Sequence, residues 1–232
     1  GIGIKDVDVV GDTRFDRVLQ IKEAAKKLPI CEAFRTGVAS SQSADVPHHD
    51  FKVFVAGSSW PPDENIFIPF FNEHKDWRLL IAPHVIAEEH LKLILSLIKD
   101  KKVVRYTQTT PEEAAEADVL IIDCFGLLSS MYNYGDVAYI GGGFGVGIHN
   151  TLEAAVYGIP VLFGPKYHKF KEACDLIKVG GGFSVASKEE FVAKMDELLT
   201  YAELLKASGD SAGQFVKGNA GATDSILKEI AL

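Results

Sequence analysis

The sequence predicts an α/β protein built on a doubly wound, Rossmann-like parallel sheet. Short β-branched runs alternate with amphipathic stretches along almost the whole chain. Several runs are apolar without a break, as from Val119 to Ile122, which suits a sheet covered on both faces. Glycine and small polar residues fall directly after the runs, where an open parallel sheet holds its ligands.

The elements follow in order. Asp12 or Thr13 caps a leading helix that reads on to residue 28. Residues 35–50 are rich in Ser, Asp and His without an apolar period and read as a loop. Strands are expected at 52–56, 78–82, 103–107, 119–123, 137–141, 160–163 and 182–185. Helices are expected between them at 61–73, 86–98, 127–134, 150–157, 169–177 and 188–199, and two more at 201–215 and 222–231 close the chain. Phe67, Phe70 and Phe71 stand at helical spacing and read as core, whereas the charged clusters 99–102 and 112–116 read as solvated faces. There is no internal repeat. One domain is expected over 1–232, with a leading helix and linker loop to residue 50 and the sheet with its closing helices from 51.

A formal charge of −8 on 232 residues excludes a general phosphate-binding face, so no nucleic-acid partner is expected. A small phosphorylated ligand held by a few amides stays open. Cys31, Cys124 and Cys174 lack metal-ligand or redox spacing and read as reduced, cytosolic, core-filling thiols. No apolar run approaches the roughly 20 residues that span a bilayer, and no signal peptide opens the chain, so a soluble piece is expected. It opens on Gly1 rather than Met, as a trimmed chain would. Neither a metal nor a cofactor is expected, because no His, Cys and carboxylate set has ligand spacing and no Walker loop or Gly-x-Ser-x-Gly elbow is present.

Four strand exits carry candidate chemistry. Gly57-Ser58-Ser59-Trp60 follows the first core strand, and the amides and hydroxyls of Ser58 and Ser59 could approach an anion. Pro61 and Pro62 fit the first turn of the next helix; an ordinary turn with a serine cap explains the string equally well. Pro83-His84 ends the second strand, and a lone histidine there is more often a packing residue than a functional one. Asp123-Cys124-Phe125-Gly126 offers amides for a base or phosphate and Phe125 for stacking, although a helix start capped by Asp123 serves nearly as well. Gly141, Gly142, Gly143, Gly145 and Gly147 place five glycines in seven positions, an entropic cost that a close-approaching ligand or backbone would justify. The run does not fit the G-x-G-x-x-G dinucleotide fingerprint. A helix expected to open at His149 or Asn150 would point free amides into the loop, with Glu153 about one turn in.

These residues resemble a known family. Gly11-Asp12-Thr13-Arg14-Phe15-Asp16-Arg17-Val18 is similar to the string that opens the second half of 3-deoxy-D-manno-octulosonic acid (Kdo) transferases. Gly57-Ser58-Ser59, Ala82-Pro83-His84, Asp123 with Gly126, and Gly141-Gly142 through Gly147, His149-Asn150 and Leu152-Glu153 follow in family order. Gly158-Ile159-Pro160-Val161, Gly164-Pro165 and Phe170-Lys171 complete the series over nearly the whole chain. The resemblance implies one half of a two-domain GT-B glycosyltransferase that moves Kdo from CMP-Kdo onto a lipid A precursor, inverting and metal-free, in lipopolysaccharide assembly. This chain would be the carboxyl-terminal, donor-binding half, with Ser58, Ser59, Pro83, His84, Phe125, Gly126, Gly142, Gly143, Gly147, His149, Asn150 and Glu153 around the nucleotide. The general base, the acceptor site and the membrane contact, on the cytoplasmic side of the bacterial inner membrane, would belong to the other half. The chain departs from the family pattern at Pro83-His84, where Pro-Arg-His is usual, at Gly126-Leu127, where Gly-Glu is usual, and at Gly143-Phe144, where a small hydroxyl residue is common. A UDP-sugar epimerase of the same architecture and a non-catalytic nucleotide-binding module are the rival readings.

Overall fold

The computed structural model describes residues 8–37 and 51–230, so most of the loop expected over 35–50 lies outside the described residues. Seven strands, β1 Lys52–Ser59, β2 Trp77–Pro83, β3 Val103–Arg105, β4 Val119–Ile121, β5 Val137–Ile140, β6 Val161–Phe163 and β7 Gly182–Ser184, form one sheet. Its order is β3-β4-β2-β1-β5-β6-β7, and every pairing is parallel. The chain builds outward from β1 on one side, then crosses to β5 and builds outward on the other. The neighbouring exits of β1 and β5 are therefore the switch point, the place where such sheets leave a crevice for ligands.

Alternation along the strands feeds two cores. Val53 and Val55 of β1 face one layer, and Phe54 and Ala56 face the other. Behind Phe54 lie α3 Pro61–Glu73, α4 Glu88–Leu97 and α9 Lys188–Thr200. The expected aromatic run is core there: the Phe54 ring packs 5.8 Å from Phe67 and 4.8 Å from Phe71. The opposite layer takes α1 Thr13–Glu23, α2 Pro29–Thr36, α8 Lys171–Lys178 and α10 Ala202–Gly218. Among the described residues no helix is long and apolar enough to cross a membrane.

The leading helix ends at Glu23, short of the expected residue 28, and a second helix, α2, lies beyond the expected one. Pro29 fits the first turn of α2, where an amide hydrogen is not needed. Arg78, buried beneath α2, donates to the Phe34 carbonyl and, at 2.8 Å, to that of Ala115, and its guanidinium lies 3.6 Å from the Phe51 ring centroid. Burial draws its pKa down to about 10. Ala115 ends α5 Pro111–Ala115, a short helix the sequence reading left as a solvated face. A Thr110–Glu113 capping box forms it, while Glu112, Glu113 and Glu116 do stay exposed.

The opening octet ties the chain's two ends together. Asp12 caps α1 by accepting from the Arg14 amide, and the Arg14 guanidinium reaches Glu172 of α8 at 2.7 Å. Phe15 meets Phe215 edge to face at 5.4 Å. Asp16 accepts from the Gly221 amide and, at 2.8 and 2.9 Å, from the amide and hydroxyl of Thr223, which caps α11 Ala222–Ile230. Asp16→Ala should therefore cost about 0.5–2 kcal/mol and loosen α11 first. Hydrogen exchange would read this as lost protection confined to 222–230; unchanged protection would contradict it.

Candidate functional site

The β1 exit is bulged. Pairing with β2 skips from Gly57 to Ser59, and Ser58 sits at φ +53°, an uncommon conformation for a residue with a Cβ. The Ser59 hydroxyl turns inward and donates to Glu64 at 2.8 Å, so it caps no anion site. Glu64 in turn meets His90 Nε2 at 2.9 Å, and His90 Nδ1 lies 2.9 Å from the Val85 carbonyl. This buried relay fixes the loop that follows β2. Pro83 is still strand, and His84 is exposed just beyond it.

The neighbouring acid, Asp63, organises the glycine-rich loop. Its carboxylate accepts from the Trp60 amide (3.0 Å), the Tyr139 hydroxyl (3.0 Å) and the Gly142 amide (2.9 Å). Burial raises the carboxyl above the usual range, and the three donated bonds pull it back. Within the loop, the amides of Gly145 and Gly147 both donate to the Gly142 carbonyl, and the His149 amide to Gly141. The amides of Gly143, Phe144, Val146, Ile148 and Asn150 take none of these bonds. Lys166 closes the far side: its amide donates to the Gly143 carbonyl at 3.0 Å and its ammonium to that of Gly145 at 2.6 Å.

The glycines serve close backbone approach. A Cβ on Gly141 would strike the Ser58 carbonyl oxygen, and one on Gly143 would stand 2.5 Å from the Gly164 Cα. The loop is thus wedged between the exits of β1 and β6.

The helix after the loop is shorter and later than the sequence suggests. It is α7 Leu152–Ala155, a single turn, so it brings little macrodipole to the site. Asn150 is already committed: its carbonyl oxygen accepts from the Leu152 amide at 3.1 Å, and its amide nitrogen donates to Glu153 Oε1 at 3.0 Å. Glu153 is half-buried. Burial raises its carboxyl, with Asn150 pulling the other way. An anion at this loop therefore meets backbone amides first, and Asn150 orients Glu153.

His149 half-buries its ring beside the loop, and burial together with the charge of His84 lowers its pKa. The His84 ring stacks 4.5 Å from His149 and 4.5 Å from Trp60. Sheet order thus brings the β1, β2 and β5 exits together, gathering Ser58, Pro83, His84, Gly142, Gly143, Gly147, His149, Asn150 and Glu153. Phe125 and Gly126 follow β4, which pairs directly with β2, the strand that carries Pro83 and His84, and Phe125 is 82% exposed. Asp123 caps no helix there; it accepts from Arg105 Nε at 3.1 Å and from the Thr107 amide at 2.8 Å.

Trp60, Asp63 and Lys166 escaped the sequence reading as site residues. Asp63 looks like any first-turn acid, although an acid at the third helical position, after two prolines, can reach back to the amide of the residue before the helix.

No family model matches the chain. Among curated proteins it is 34% identical over 163 residues to the 3-deoxy-D-manno-octulosonic acid transferase of Aquifex aeolicus, covering 68% of this chain and 44% of that protein. The protein of the same name from Rickettsia felis is 26% identical over 237 residues, 99% of this chain and 48% of the relative. The chain spans less than half the length of either relative. Among solved structures, the C-terminal CMP-Kdo binding domain of WaaA from Acinetobacter baumannii superposes with a TM-score of 0.62 at 17% identity, covering 88% of this chain and 97% of that one. At that identity the likeness speaks for the fold. With the curated relatives and the ordered motif blocks, it places the chain in the 3-deoxy-D-manno-octulosonic acid transferase family, with the fold of that family's carboxyl-terminal domain.

Proposed function

We propose that this chain is the donor-binding part of an inverting glycosyltransferase that moves Kdo from CMP-Kdo onto a lipid A precursor. The names of the curated relatives support that chemistry. The observation that carries it locally is the Glu153 carboxylate, held by Asn150 beside a loop of unpledged amides at the switch point. A carboxylate only accepts hydrogen bonds, so it suits the neutral ribose diol and repels phosphate. The amides of Gly143, Phe144 and Ile148 suit the phosphate. Residues 1–232 would serve as one donor-binding unit. The general base and the acceptor site would come from the remainder of a longer protein, which would also make the contact with the cytoplasmic side of the inner membrane.

Isothermal calorimetry with CMP and UDP tests this reading. CMP is expected to bind in the millimolar to high micromolar range, about 4–6 kcal/mol, since one wall of the cleft is absent. Chelator should leave that affinity unchanged: among the described residues no three His, Cys, Asp or Glu side chains gather as a metal site, and amides do the neutralising. Preference for UDP would favour the epimerase reading, and no binding a non-catalytic module. The chain alone should not transfer Kdo, because no base is positioned on an acceptor hydroxyl.

A further inference from the structure

The geometry points to Trp60 as a positioning residue that locks His149 into one tautomer, with its proton on Nδ1, so that His149 presents a fixed neutral N–H donor to a bound ligand. The indole Nε1 of Trp60 lies 3.3 Å from His149 Nε2. An indole nitrogen donates and never accepts, so Nε2 must be the accepting nitrogen and a neutral ring must carry its hydrogen on Nδ1. Protonation of His149 would set two N–H groups against each other. Burial and the neighbouring His84 also disfavour it.

The surroundings reinforce the lock. Trp60 and His149 join edge to edge, and His84 lies across both, its ring 4.5 Å from each centroid and inclined 26° to each. Trp60 itself is seated by its amide bond to Asp63, the carboxylate that also holds Gly142. His149 is anchored by its own amide bond to the Gly141 carbonyl. The Cδ2 edge of the ring, next to the accepting Nε2, borders the loop, where a Cβ on Gly142 would come within 3.2 Å of it, and Nδ1 lies on the other side of the ring. Among the described residues His149 Nδ1 has no hydrogen-bond partner in the protein, although the ring is half-buried. A half-buried Nδ1–H without a protein acceptor, on the ring edge turned from Gly142, leaves one donor free for a bound ligand. His149 then acts as a hydrogen-bond donor and not as a proton acceptor. The ligand half of this inference rests on the nucleotide-donor reading, whereas the tautomer half stands on the free protein alone.

Long-range nitrogen–proton correlation spectra of the uniformly 15N-labelled chain at pH 7.5 read the tautomer directly, with His149 assigned by the resonance lost in His149→Gln. The expected result is a pyrrole-type Nδ1 and a pyridine-type Nε2 for His149 in the wild type. In Trp60→Phe, which keeps a ring against His84 but removes the donor, His149 should move to a mixture of tautomers. CMP affinity, measured by calorimetry, should then fall about 5- to 20-fold. Side-chain replacements give a second arm that spares Trp60. An asparagine amide reaches where Nδ1 stands and a glutamine amide where Nε2 stands, so His149→Asn should retain several-fold more CMP affinity than His149→Gln. A protonated Nε2 in the wild type, or an unchanged tautomer in Trp60→Phe, would overturn the lock. A changed tautomer with unchanged CMP affinity, or His149→Gln binding as well as His149→Asn, would overturn the donor role. If the wild type takes up no CMP, the nucleotide reading and the donor role fall together, while the spectra still decide the lock.

Discussion

Gly143→Ala is expected to cost about 3 kcal/mol of stability, near the upper end for overpacking, because the added methyl meets backbone rather than a movable side chain. The ideal Cβ would stand 2.5 Å from the Gly164 Cα and 2.6 Å from its amide nitrogen, so the β5 and β6 exits would have to part. Gly145→Ala is the matched control. Its φ is not in the left-handed region, it is exposed, and its Cβ would come no nearer than 3.4 Å to the Gly142 carbonyl oxygen. That change should stay within about 0.5 kcal/mol. Urea unfolding of the two variants side by side measures the difference. Equal midpoints would mean that the loop is not wedged against β6.

Glu153→Gln is expected to lower CMP affinity by roughly 1–3 kcal/mol while leaving the fold intact. Glutamine keeps the shape and can still accept from Asn150, but it loses charge-assisted acceptance from the ribose hydroxyls. The stability effect has the opposite sign. Burial raises the Glu153 carboxyl above its unfolded value, so the folded chain holds that proton to higher pH than the unfolded chain does. Ionising it therefore costs stability as pH rises from the ordinary carboxylate range through the raised value, and at neutral pH the charged form is a burden that glutamine removes. The thermal midpoint of Glu153→Gln should be equal to or above that of the wild type at pH 7. Wild-type CMP affinity should also fall on acidification at a higher pH than a solvated glutamate would give. A loss of affinity accompanied by a lower midpoint would return Glu153 to a purely structural role.

Much of the fold was legible because its signals are local. Unbroken apolar runs such as Val119 to Ile122 mark strands buried on both faces, and the observed β4 is buried there. The boundaries that shifted did so for reasons a pattern of hydrophobicity does not weigh. The leading helix stopped at Glu23 with α2 opening on Pro29 beyond it, and a capping box made α5 from residues that look merely solvated. The glycine run announced close approach, but not whether a ligand or the β6 exit comes close. In the structure Gly164 does, from twenty-one positions along the chain.

Residue types and spacing by themselves determined the layered α/β class, the strand exits as the place of chemistry, and the ordered motifs that mark the family. Those properties depend on neighbours within a turn or a strand, where side-chain period and turn chemistry act. Only the tertiary structure decided which exits meet. Sheet order joined His84 from β2 to His149 after β5, across the exit of β1 between them. It also set the Asp63 carboxylate against the Tyr139 hydroxyl and the Gly142 amide, which lie 76 and 79 positions further along the chain. A polar side chain's role is set by the partner that reaches it first, and that partner is chosen by packing between elements far apart in sequence.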